Sequence, residues 1–139
     1  MGKQWVQTGT GGVAIVDDAS SAVGSDVMTL TWNVNRAPTN TVTVGTIPAN
    51  ARIMSIFVTN PIVSNAVTTA TVSVGLGGGS ATYFTAAQDV KGAVGNFSQA
   101  ATANWVPATT SQAVTCTYTE TGGASTTGNH YVHLTYCVL

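Results

Sequence analysis

Few side chains in this sequence are able to do chemistry, and their spacing keeps them apart. His130 and His133 lie three residues apart in a run of β-branched and aromatic residues, Tyr131-Val132-His133-Leu134-Thr135-Tyr136. A helix would align two such imidazoles for a metal, whereas a strand sends them to opposite faces. Each reads as a solvent or interface histidine. Asp17, Asp18 and Asp26 share one polar stretch, and Ca²⁺ takes clustered carboxylate oxygens. The alternation of an EF-hand loop is missing, so these acids read as solvated or capping, and no metal or cofactor is expected. Asp89 and Glu120 stand alone in sequence, which suggests no carboxylate pair for glycoside hydrolysis. Gly75-Leu76-Gly77-Gly78-Gly79-Ser80 is glycine-rich but lacks the Lys-Ser/Thr ending of a phosphate loop, and reads as a turn. No Gly-x-Ser-x-Gly occurs, and nothing ties a serine to either histidine. The expectation is a protein that is not an enzyme; a hydrolase would have to show turnover abolished by one carboxylate or histidine substitution.

Cys116 and Cys137 are the remaining reactive groups. Cys116 is in phase with Val114 and Tyr118, while Cys137 is out of phase with Val132, Leu134, Tyr136 and Val138. With both apolar faces turned inward, the two thiols look to opposite sides of the sheet, so free thiols are expected. Of the three tryptophans, Trp32 is in phase with Met28 and Leu30 and reads as core. Trp5 and Trp105 flank polar stretches and suit an interface anchor, a sugar-stacking platform or ordinary partial burial.

The elements that would position these groups are all strands. Val27 to Val34 alternates, with Met28, Leu30, Trp32 and Val34 on one face. Thr41 to Thr46 returns with Val42 and Val44 inward. In Arg52 to Thr59, Ile53 and Phe57 point one way and Met54, Ile56 and Val58 the other, so a strand apolar on both faces is either central or half covered by a partner subunit. Ala70 to Leu76 alternates strictly. Gln4 to Thr8 and Val13 to Val16 are short candidate strands around Gly9-Thr10-Gly11-Gly12, Asp17 to Asp26 is a loop, and the stretch from Asn35 to Asn40 is a turn. Thr82 to Thr85 and Gly95 to Ser98 are short strands, and Ala86 to Val90 is one helical turn. Gln112 to Thr119 and His130 to Leu139 form a hairpin. The fold class is all-β: a single-domain β-sandwich or jelly roll of roughly 8–10 short, mostly antiparallel strands, with residues 1–12 an N-terminal arm or first strand and residues 13–139 the sandwich domain.

Composition narrows the setting. Charged residues are 6% of 139, and four cations against five acids leave a net charge of −1; a typical domain is about a quarter charged. The polar surface must come from 24 Thr, 10 Ser and 9 Asn. Such a surface repels neighbours weakly and is covered by them with little charge desolvation. This favours a life in an assembly, the alternative being a secreted adhesin or carbohydrate module. The scattered cations Lys3, Arg36, Arg52 and Lys91 make no basic face, so direct nucleic-acid binding is not expected. No apolar run reaches the length of a membrane span, and Met1 to Thr8 lacks a signal-peptide core, so no membrane partner and no secretion are expected.

Three segments resemble a family of small β-rich structural proteins of tailed-phage virions. Thr46-Ile47-Pro48-Ala49-Asn50-Ala51-Arg52-Ile53 is similar to the Ile-Pro-Ala-Gly-Ala-Arg turn and strand of those proteins, with Asn50 where the family has Gly; Asn tolerates positive φ. Ala70-Thr71-Val72-Ser73-Val74-Gly75, the glycine-rich turn after it and Tyr83-Phe84-Thr85-Ala86-Ala87 form the second segment. Ala124-Ser125-Thr126-Thr127-Gly128-Asn129 leading into Tyr131 to Tyr136 is the third. Together they cover roughly residues 40 to 138. The resemblance implies a virion component without catalytic residues, best fitted by a head decoration or cement protein: a homotrimer on the capsid exterior, clamping the major capsid protein and made in the host cytoplasm. Trp5, Arg52, Ile56 and Trp105 are the expected interface residues, with Gly2 to Thr10 an arm onto the shell. The rival is a receptor- or glycan-binding domain of a tail fibre or spike, with a groove exposing Trp105 or Tyr83.

Overall fold

A computed structural model of the chain describes residues 4–8, 12–16, 27–34, 36 and 40–139. The loop expected around Asp17, Asp18 and Asp26 lies outside the described residues, as do parts of the Asn35 to Asn40 turn. Ten strands follow in chain order: β1 (Gln4–Thr8), β2 (Gly12–Val16), β3 (Val27–Val34), β4 (Asn40–Ile47), β5 (Ala51–Ile62), β6 (Thr69–Leu76), β7 (Gln88–Asp89), β8 (Gly95–Ser98), β9 (Gln112–Thr121) and β10 (Asn129–Val138). All pairings are antiparallel. One sheet has the order β3-β10-β5-β8, the second β4-β9-β6-β7, and β1 and β2 make a two-stranded sheet of their own. The two four-stranded sheets form a β-sandwich.

Alternation builds the core. Val132 and Leu134 of β10 and Ile56 and Val58 of β5 face Val72 and Val74 of β6 and Val114 and Tyr118 of β9, all fully buried. Threonines take the outward positions, where Thr41 meets Thr117 at 2.9 Å and Thr69 meets Thr121 at 2.7 Å between hydroxyls. Such cross-strand pairs satisfy polar groups on a face with almost no charge.

Two bulges change the expected facing of side chains. In β5, Ser55 pairs with Thr135 but Ile53 pairs with Tyr136, so Met54 is an extra residue. An inserted residue reverses the alternation beyond it. Ile53 therefore joins Ile56 and Val58 on the buried face, while Met54 and Phe57 point outward, 53% and 38% exposed. In β4, Val44 is the extra residue between the Thr43–Thr115 and Gly45–Val114 pairs, which turns Ile47 into the core.

Three further expectations are corrected. β9 and β10 exist as read but do not form a hairpin: their connection crosses from one sheet to the other, with Gly122, Gly123 and Gly128 at positive φ. A long glycine-rich loop does not impose the tight turn that would pair its flanks. Gln88 and Asp89 form the short β7 rather than a helical turn, and the one helical feature among the described residues is a 3₁₀ turn at Ala103–Trp105, capped by Thr102. Thr82 to Thr85 is not a strand; Phe84 and Thr85 donate their backbone N–H groups to the Val74 carbonyl. Asn50 has φ 61°, the left-handed conformation anticipated from its place in a Gly position.

Candidate interaction surfaces

The residues expected at an interface separate in the structure. Ile56 is fully buried by its own chain, because β5 lies between β10 and β8 and the bulge at Met54 sets it inward. It supports the core and is not available to a neighbour. Arg52 and Trp105 come together: with Met54 and Val106 they line a recess of about 270 Å³ on the outer side of β5. Trp105 has turned most of its ring inward, and its Nε1 donates to the Phe84 carbonyl at 2.7 Å. Tyr83 packs edge-on against Phe84 with ring centroids 5.0 Å apart. Neither ring stands free as a platform for sugar stacking. Arg52 is exposed, and so are the apolar Met54 and Val106 that line the recess with it, the last 66% exposed. Trp5 falls in β1 opposite Ile15 in register.

The histidines divide between the two faces of β10, as the strand spacing requires. His133 is on the outer face, its Nδ1 3.0 Å from the Thr31 hydroxyl. His130 is buried outright, correcting its expected solvent or interface place. The Asn60 side-chain amide donates to the carbonyls of Val90 and Ala93, so its Oδ1 is left to accept from His130 Nδ1 at 2.8 Å. This fixes the neutral imidazole with its proton on Nδ1. Nε2 is buried without a partner. Burial, reinforced by the positive charge of Arg36, lowers the His130 pKa to about 4. The imidazole stacks on Tyr118 at 5.6 Å, and the Tyr118 hydroxyl meets Ser64, Ser125 and Glu120. Hydrogen bonds from Ser125 hold Glu120 below the ordinary carboxylate range.

This polar cluster ties the loops at one end of the sandwich: residues 60–66, 90–93 and 120–130. It is packed rather than accessible. Apart from His130 Nε2, its hydrogen bonds run to other parts of the same chain and fasten these loops to one another. Sequence reasoning missed it because its members are spread from Asn60 to His130. An Asn and a His each placed in phase with apolar neighbours were the available signals.

Both cysteines are buried, free thiols: Cys116 on the inner face of its sheet and Cys137 beside Met54, with 3.6 Å between sulfurs. Burial pushes the Cys116 thiol up to about 11, so it stays protonated and unreactive. Among the described residues no three His, Cys, Asp or Glu side chains converge as a metal site would require. No helix among them is long and apolar enough to cross a membrane.

No protein-family model and no curated protein sequence matches this chain. Solved structures do. The chain is similar to one from the acid-stable capsid of the Helicobacter pylori bacteriophage KHP30, with TM-score 0.62 and 14% identity over 84% of this chain and 90% of that one. It is similar to one from the capsid asymmetric unit of cyanophage Pam1, with TM-score 0.63 and 22% identity over 91% and 94%. A third, from the capsid of Ralstonia phage GP4, gives TM-score 0.59 and 16% identity over 91% and 92%. The sandwich is thus a fold found in the capsids of three phages, matched over 84–91% of this chain.

Proposed function

We propose that this chain is a non-enzymatic structural protein of a phage virion, and that it decorates the outside of the head as a homotrimer bound to the major capsid protein. The observation that carries this reading is the near full-length match of its sandwich to chains from three phage capsids. The charge-poor, threonine-rich surface supports it, since faces without charge are covered with little desolvation penalty. A protein that binds the assembled lattice and not its free subunits stabilises the lattice by mass action. The chain is made in the host cytoplasm, where its two thiols stay reduced.

The outer side of β5 is the contact we assign to the shell: Arg52 beside the exposed Met54 and Val106 gives an apolar centre with one cation at its margin. Co-sedimentation with empty capsid shells tests it. Wild-type protein is expected to pellet with shells, and Met54→Asp with Arg52→Glu to stay in the supernatant while melting at the wild-type temperature. Protein that ignores shells and instead binds host polysaccharide would establish the tail-fibre reading in its place.

A further inference from the structure

The two long sides of the sandwich are not finished alike. On one side β3 pairs only with β10 and β4 only with β9, so each keeps one edge that no described strand occupies. Each is eight residues long, VMTLTWNV and NTVTVGTI, with no charge and no proline. Long uncharged edges of this kind invite pairing with another strand. Between them a slot of about 370 Å³ opens into the core, lined by Trp32 and Val34 from β3, Val42 and Val44 from β4, and Cys116 at its base. Val42 is opposite the buried Cys116 in register yet is 44% exposed, and Met28, in phase with the core, is 51% exposed. Among the described residues nothing covers this core-facing surface.

The same chain carries a second, separate piece of sheet. β1 and β2, QWVQT and GVAIV, pair with each other from Gln4–Val16 to Thr8–Gly12 and with no other described strand. Six of these ten residues are Trp, Val, Ala or Ile, and none is charged. A lone two-stranded hairpin is marginal in water and needs a third strand or a packed face. Ten residues join β2 to β3, enough to span up to about 33 Å, and among the described strands the hairpin forms a sheet apart while the outer edges of β3 and β4 have no partner.

We propose that the slot between β3 and β4 receives the β1–β2 hairpin of a second copy of this chain, adding a strand to the open edge and closing the core with its apolar side chains. The segment expected to reach the shell is thereby assigned to a neighbouring copy. Backbone pairing supplies affinity and the slot supplies register, the mode of strand addition used widely for peptides. The trimer of the capsid reading is one assembly this exchange builds, but the exchange rests on the open side alone and does not depend on a capsid.

Complementation between two full-length variants tests it. Ile15→Asp spoils the hairpin and leaves the slot; Val42→Asp spoils the slot and leaves the hairpin. Mass by light scattering should show wild type as a multiple of the 14.1 kDa chain and each variant as a single chain. An equimolar mixture should recover a species of twice the single-chain mass, since one intact hairpin then meets one intact slot. Circular dichroism checks that each variant is folded, and Val42→Asn replaces Val42→Asp if it is not. Either variant keeping the wild-type mass, or a mixture that stays at the single-chain mass, overturns the exchange. So does a wild type that is a single chain at every concentration. In that last case co-sedimentation with shells reports separately: a single chain that still pellets leaves the decoration role standing.

Discussion

The β7–β8 side of the sandwich and its β3–β4 side do opposite things with the same problem. Edge strands on the first are only two and four residues long. The chain after β6 turns back to occupy the rest of that edge: Val74 N–H donates to Thr85 Oγ1, its carbonyl accepts from Phe84 and Thr85, and the Ile56 carbonyl accepts from Gln99 N–H. Gln99 then bridges to Gln88 across the two sheets at 3.0 Å. The other side has long strands, an accessible slot and no such strap among the described residues. One margin is closed by the chain itself, and the other is shaped to be closed from outside. The difference teaches that an incomplete core need not mean a defective fold, provided the missing wall arrives with a neighbour.

The largest effect that sharpens this contrast is at the centre both sides share. Ile56→Asp places an unpaired charge in a fully buried site and should abolish folding, seen as loss of the thermal transition. Met54→Asp, two residues away on the outward bulge, should change the melting free energy of the free protein by no more than ~0.5 kcal/mol. Equal losses from both would mean that the bulge is misplaced. Next comes the sealed margin: Thr85→Val removes the hydroxyl that accepts from the buried Val74 N–H and should lower stability by about 1–3 kcal/mol in urea titration. The corresponding change on the open margin, Thr43→Val, removes an exposed hydroxyl and should be within ~0.5 kcal/mol of wild type. A third effect concerns the turn entering β5. Asn50→Val forces a β-branched residue into φ 61° and should lower stability by about 1–2 kcal/mol, whereas Asn50→Gly should not.

The pH response isolates one side chain. His130 ionises near 4 in the folded chain against about 6.5 unfolded. As pH falls below 6.5 the unfolded chain takes up the proton first, so this stability is complete above 6.5 and lost towards 4. Glu120, also held below its ordinary value, adds a loss in the same direction only at lower pH. The melting temperature of wild type should therefore decline between pH 6.5 and 4.5, and His130→Gln should flatten that slope. An unchanged slope in the variant would remove His130 as its source.

The period-two pattern was enough to place most strands, because burial against one face leaves its mark on every second residue. Val27 to Val34 and Ala70 to Leu76 were legible in this way, as was the opposite facing of Cys116 and Cys137. The bulges at Met54 and Val44 were not, since both are apolar residues that look the same on either face. Hence Ile56 read as an interface residue when it is core, and Trp32 read as plain core when it lines the slot. Pairing of β9 with β10 was misread for a different reason: adjacency in sequence carries no record of which sheet a strand enters. The burial of His130 against Asn60 is not legible because the link between them spans 70 residues of chain.

The place of β10 has a consequence for how the protein is born. Thr29 of β3 meets Thr135 of β10 across 106 residues, and β3 has no other described strand beside it. At roughly 5–20 residues per second, β3 leaves the ribosome some 5–20 s before its partner exists. During that interval its apolar face and both of its edges are bare, with scarcely a charge to hold other nascent chains away. The ten residues of β10 thus act as the latch of the sandwich, and a message truncated just short of them would yield an aggregate rather than a shortened sandwich.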